Sequence, residues 1–128
     1  MKTIIGESLG GLLATEILFT KPSLFNKYII ISPSLWWDEG SLLNHSTTLP
    51  ENISKPINIY IAVGREGLTP GEKPRVMEDD VKSLADKIRK INNKNIDVRF
   101  DFLTEENHAT ISHQAILNAL KVMYIEKK

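Results

Sequence analysis

The sequence holds no cysteine, which excludes a disulfide framework and any thiolate metal site. It has no surplus of either charge. Its 16 basic and 16 acidic side chains cancel, so there is no electrostatic case for nucleic acid or an anionic membrane surface as partner. No apolar run approaches the roughly 20 residues needed to cross a bilayer. Its first residues lack a sustained apolar stretch before a small-residue cleavage site, so no targeting segment is read there. Repeats and low-complexity tracts are also missing.

What remains is an ordinary globular composition. The 128 residues are 41% hydrophobic and 25% charged, enough for one domain around one core. Short β-branched runs alternate with amphipathic stretches. Lys2 to Gly6 reads as the end of a strand. Leu9 to Phe19 follows as a helix, with Leu9, Leu12, Leu13, Ile17 and Leu18 at helical spacing and Lys21-Pro22 as its stop. Tyr28 to Ser32 is a continuous apolar strand, as expected when both faces are covered.

Leu35 to Pro56 reads as irregular, with short helical turns around Ser41 to Asn44. Ile57 to Val63 is the next buried strand, and the long loop Arg65 to Pro74 leads to a helix whose apolar face is Met77, Val81, Leu84, Ala85, Ile88 and Ile91. Asp97 to Leu103 alternates as a strand, and a stripe from Ile111 to Met123 marks the last helix. Strands separated by helices predict an α/β fold with about four mostly parallel strands. Chemistry in such sheets sits at the carboxyl ends of the strands.

Gly6-Glu7-Ser8-Leu9-Gly10 matches G-x-S-x-G, between a strand and a helix. A tight turn there lifts the Ser8 hydroxyl above the sheet. Glycines on either side relieve crowding, and Gly11 allows close approach. The Leu9 N–H, at the positive end of the helix, is the candidate oxyanion donor. The alternative is a glycine-rich turn with an N-capping serine.

A serine hydroxyl needs a base. His108, after the last strand and before the last helix, stands where a histidine following the nucleophile and acid in chain order should fall. His113 reads as a partly exposed helical histidine and His45 as a polar loop residue. For the acid, Glu66 follows the third strand. Glu78, Asp79 and Asp80 read instead as first-turn acids of a helix, and Glu72 complicates the choice. Glu105 and Glu106 lie near His108, and a Ser–His pair with no strong acid is a further option. Trp36 and Trp37 are either packing residues or walls of an acyl or aromatic pocket. Glu7, inside the elbow, joins them as a candidate substrate contact.

Gly6-Glu7-Ser8-Leu9-Gly10-Gly11, Lys21-Pro22 with Leu24-Phe25, Ile31-Ser32-Pro33-Ser34-Leu35-Trp36-Trp37 and Glu106-Asn107-His108 together resemble an esterase family of the α/β-hydrolase superfamily. Within it the resemblance is to siderophore esterases of the enterochelin and salmochelin type, over nearly the whole chain. It implies Ser8 as nucleophile, His108 as base and hydrolysis of a small-molecule ester through an acyl-enzyme, with neither a metal nor an organic cofactor. The acid varies in this branch.

The resemblance also implies only the carboxyl-terminal half of the usual eight-stranded sheet, hence a partial α/β-hydrolase domain without the loop that supplies a second oxyanion donor. The strand before Ser8 is then a sheet edge, and a homodimer through that edge is expected. An impaired interaction module and an acyltransferase on the same scaffold are the alternatives to hydrolysis.

Overall fold

The computed structural model describes residues 1–45, 49, 53–71 and 73–125, with the backbone alone for His45 and Ile125. Glu72 therefore lies outside the described residues. Four strands form one sheet: β1 (Thr3–Glu7), β2 (Lys27–Ile31), β3 (Ile57–Gly64) and β4 (Ile96–Leu103). They lie side by side in chain order, and every pairing is parallel. Helices α1 (Leu9–Thr20), α2 (Trp37–His45), α3 (Met77–Ile91) and α4 (Ile111–Leu120) intervene, and α4 runs on into a π-helical turn at Lys121–Ile125.

The two central strands are covered on both faces, with their side chains alternating between the two sides. Tyr28 and Ile30 of β2 and Ile57, Ile59, Ile61 and Val63 of β3 face α1 and α3, meeting Ala14, Leu18, Val81, Leu84 and Ile88. Ile29 and Ile31 of β2 and Tyr60 and Ala62 of β3 face the other way, onto Ile111, Ala115 and Ala119 of α4. This explains why β2 reads as an unbroken apolar run: all five of its residues are buried. No helix among the described residues is long and apolar enough to cross a membrane.

One expectation needs correction. The predicted stripe of α1 is rotated. Gly11, Ala14, Thr15, Leu18 and Phe19 are buried, whereas Leu9 and Leu13 are 54% and 55% exposed. The cause is close approach: a Cβ on Gly11 would lie 3.0 Å from the Pro33 Cα, so the small side of the helix faces inward. The stretch after Leu35 agrees with its reading: α2 is broken by left-handed residues at Asp38, Glu39 and Gly40 (φ 53°, 55° and 77°), and regular helix begins only at Ser41.

Candidate functional site

Ser8 occupies the single residue between β1 and α1. Its backbone is held at φ 60° and ψ −119°, a conformation that costs a non-glycine residue about 1–3 kcal/mol. Three backbone hydrogen bonds hold it. The Ser8 N–H donates to the Ile31 carbonyl at 3.0 Å, and the Ser8 carbonyl accepts from Leu12 and Ser34, each at 3.0 Å. Gly6 is required here, because a Cβ would lie 2.3 Å from the Gly10 carbonyl oxygen. Gly10 is not required in the same way: a Cβ there meets nothing within 4 Å. It is the backbone of Gly10, crossing over Gly6, that crowds the turn.

The hydroxyl of Ser8 faces His108, with Oγ 3.2 Å from Nε2. The other ring nitrogen, Nδ1, lies 2.6 Å from Oε1 of Glu66. A carboxylate can only accept, so the proton sits on Nδ1 and leaves Nε2 free to accept from Ser8. The Glu66 side chain is 3% exposed, while that of His108 is 49% exposed. A buried carboxylate needs donors, and Glu66 has two besides His108. Its Oε2 accepts from the Gly64 N–H at 2.9 Å and from the Ser32 hydroxyl. Glu105 and Glu106, the other acids near His108 in sequence, are not its partners; Glu106 instead receives the Arg65 N–H on its carbonyl at 2.7 Å.

Sequence reasoning missed the supports of this chain. In the sequence Ser32-Pro33-Ser34 ends a strand and carries part of the family resemblance, with no role for either hydroxyl. Ser32, fully buried at φ 43°, binds Glu66. Ser34, 1% exposed, places its Oγ 3.2 Å from that of Ser8. With the Ser8 proton directed at His108, the Ser34 hydroxyl donates to the Ser8 oxygen. The signal was available: two hydroxyl residues at the carboxyl end of a fully buried strand. Glu78, read as a helix-dipole acid, also accepts the backbone N–H groups of Gly67 and Glu66 at 2.8 and 3.3 Å, which braces the loop presenting Glu66. Asp80 is buried and grips Arg75 through both oxygens, at 2.8 to 3.1 Å. Hydrogen bonding to Asp80 raises the Arg75 guanidinium above its ordinary pKa.

No protein-family model matches the chain. Individual relatives do. The ferri-bacillibactin esterase BesA of Bacillus subtilis is 32% identical over 123 residues, covering 94% of this chain and 42% of that protein. The crystal structure of the BES protein from Bacillus cereus superposes with a TM-score of 0.80 at 29% identity, over 93% of this chain and 43% of that one. An IroE-like serine hydrolase from Shewanella oneidensis gives 0.79 at 27% identity, over 95% and 39%. The chain thus spans under half the length of each of these three relatives. Its fold matches part of the α/β fold of these hydrolases.

Two cavities open at the carboxyl edge of this α/β-hydrolase sheet. One, about 230 Å³, is lined by Ser8, Ser34, Glu66 and His108 together with Trp36, Leu68, Thr69, Pro70 and Met77. The second, about 640 Å³, adjoins it across Trp36 and Pro70 and also contacts Trp37 and the left-handed turn of α2. Trp36 is half-buried, packing against the core while it lines both cavities, and Trp37 is 53% exposed and lines the larger one. Glu7 ends β1 half-buried and lines neither cavity. Leu9 opens α1, and its N–H belongs to the first turn, which has no intrahelical acceptor. His113 is exposed on α4, and His45 closes α2 with its side chain outside the described residues.

Proposed function

We propose that the chain carries the reacting groups of a carboxylic ester hydrolase that works through a serine acyl-enzyme, on small-molecule esters of the siderophore type. The observation that supports this most directly is the hydrogen-bonded path from buried Glu66 through His108 to a strained Ser8. The Ser8 oxygen attacks the ester carbonyl carbon while its proton passes to Nε2 of His108. The negative charge that develops on the carbonyl oxygen meets the Leu9 N–H at the amino end of α1. As the tetrahedral adduct collapses, the C–O bond to the alcohol breaks and His108 returns the proton to the departing oxygen. Water then repeats the sequence on the acyl-enzyme, with His108 again as base. Glu66 keeps Nδ1 protonated and stabilises the imidazolium while it lasts. The names of the Bacillus relative and the Shewanella hydrolase agree with this chemistry.

The test is hydrolysis of p-nitrophenyl acetate with labelling by a fluorophosphonate. Ser8→Ala is expected to lower kcat by at least about a thousandfold and to abolish the label. Hydrolysis that survives the substitution, or an adduct mapped to another residue, refutes the assignment.

A further inference from the structure

The Ser8 oxygen has two polar side-chain neighbours in the cleft, and the reaction described above uses only one. Nε2 of His108 lies 3.2 Å from it. The Ser34 hydroxyl lies at the same distance, 3.2 Å. Ser34 is held there by its backbone. Its N–H donates to the Ser8 carbonyl at 3.0 Å, and its carbonyl accepts from the Trp37 N–H at 3.1 Å. The residue lines the cleft yet is only 1% exposed, so solvent scarcely reaches its hydroxyl. Among the described residues, the Ser8 oxygen is that hydroxyl's sole partner. The state of the Ser8 oxygen therefore decides whether Ser34 has anywhere to donate.

That oxygen changes character during an acyl-enzyme cycle. In the free enzyme it is a hydroxyl oxygen, a good acceptor, and the bond from Ser34 is already made. The bond persists through attack on the ester, so the ground state and the transition state gain much alike. Stabilisation shared by both leaves the rate nearly unchanged. In the acyl-enzyme the same oxygen is the single-bonded oxygen of an ester, with its lone pair drawn into the carbonyl. It accepts poorly, and a buried donor facing it keeps part of its desolvation cost. Hydrolysis reverses this. Water adds to the acyl carbon as His108 takes a proton from it, and the C–O bond to Ser8 then breaks, leaving its electron pair on the serine oxygen. Ser34 now donates to a developing alkoxide, and hydrogen bonds to charged groups are roughly twice as strong as neutral ones. His108 returns the proton to Ser8, and the acid departs.

Resting on the esterase reading above, we propose that Ser34 is a catalytic residue of the second half-reaction: its hydroxyl stabilises the Ser8 oxygen as a leaving group and speeds release of the acyl group, with little effect on its uptake. The Ser34 proton stays on Ser34 throughout.

The experiment follows p-nitrophenyl acetate by stopped flow in the parent chain and in Ser34→Ala. The substitution removes one oxygen and leaves both backbone bonds, and thermal unfolding checks that the fold holds. Deacylation is expected to slow about 10- to 100-fold, the worth of a hydrogen bond to a charged group. Acylation should hold within about threefold. kcat and KM then fall together, kcat/KM stays nearly constant, and a burst of p-nitrophenol stoichiometric with the enzyme precedes the steady state. Phenyl acetate forms the same acyl-enzyme and should converge on the same kcat. A merely structural role would disturb attack as well. In that case kcat/KM falls along with kcat and no burst develops, which overturns the proposal; unchanged constants overturn it too. Acid quenching during the burst, followed by peptide mapping, locates the acetyl group. On Ser8, it leaves the esterase reading standing whichever way the rates fall. On another residue, or on none in either protein, it removes that reading and this proposal with it.

Discussion

Glu66→Gln changes one atom in a buried side chain, and the structure specifies which way the new amide must turn. Oε2 of Glu66 accepts the Gly64 backbone N–H at 2.9 Å, and that donor cannot be rotated away. An NH₂ group there would face another N–H, so the carbonyl oxygen of the glutamine must take the Oε2 position. The NH₂ then occupies the place of Oε1, 2.6 Å from Nδ1 of His108. It can only donate. His108 therefore loses its Nδ1 proton and carries the proton on Nε2, facing Ser8, where it cannot accept. The base is switched off by tautomer, with the ring still in place. Loss of the corresponding carboxylate in a serine protease triad lowers kcat by about 10⁴, or about 5 kcal/mol of barrier, and a fall of that order is expected here. The assay is steady-state hydrolysis of p-nitrophenyl acetate, with thermal unfolding measured alongside to show that the variant folds. A folded Glu66→Gln protein that keeps kcat within about tenfold of the parent refutes the argument.

Ser32→Ala removes one of three donors to the same carboxylate and should lower kcat about 10- to 100-fold at unchanged KM, the worth of a hydrogen bond to a charged group; a changed KM with steady kcat would contradict it. Gly6→Ala drives a methyl into the Gly10 carbonyl oxygen, and a loss of about 1–3 kcal/mol or more is expected as a lower urea midpoint; an unchanged midpoint contradicts the crowding argument. Alkaline stability should be limited by two buried phenols. Burial pushes Tyr28 up to about 12 and raises Tyr60 further, with hydrogen bonding to Asp101 adding to it. Unfolded tyrosine ionises near pH 10, so above that point the unfolded chain sheds protons that the folded one keeps. Stability is intact below about pH 10 and falls between pH 10 and 12, by about 3 kcal/mol for Tyr28 alone. Urea melts across that range check it, and Tyr28→Phe should flatten part of the decline.

The strands, the elbow and the histidine were legible because each rests on a local rule. A β-branched run between turn residues makes a strand wherever it falls, and G-x-S-x-G between a strand and a helix has one tight geometry. Glu66 was a choice among acids, since nothing local distinguishes a glutamate after β3 from Glu105 or Glu106. The distinction comes from Ser32 and the Gly64 N–H, partners brought in by sheet register. The rotation of α1 was illegible for a related reason. Hydrophobic spacing favoured the leucines, but how near the helix can come to Pro33 decides its facing, and only Gly11 tolerates that distance. The left-handed turn at Asp38 and Glu39 opposes the intrinsic preference of Glu39 above all; its fixation by Arg75 and Asp80 comes from a loop and the first turn of α3, more than 30 positions further along.

The strand order also governs how the site comes into being. Ser8 and His108 are 100 residues apart in the chain, and the sheet between them is assembled entirely from parallel neighbours. Each neighbour is joined only after an intervening helix closes a long loop, the slow step for such topologies. The elbow can form early, from contiguous residues and β2. His108 cannot reach it until β4 has paired and the Arg65 N–H has captured the Glu106 carbonyl. During refolding, recovery of the proposed esterase activity should therefore track the last phase of sheet formation, lagging behind the helical signal that α1 and α3 give from their own local contacts.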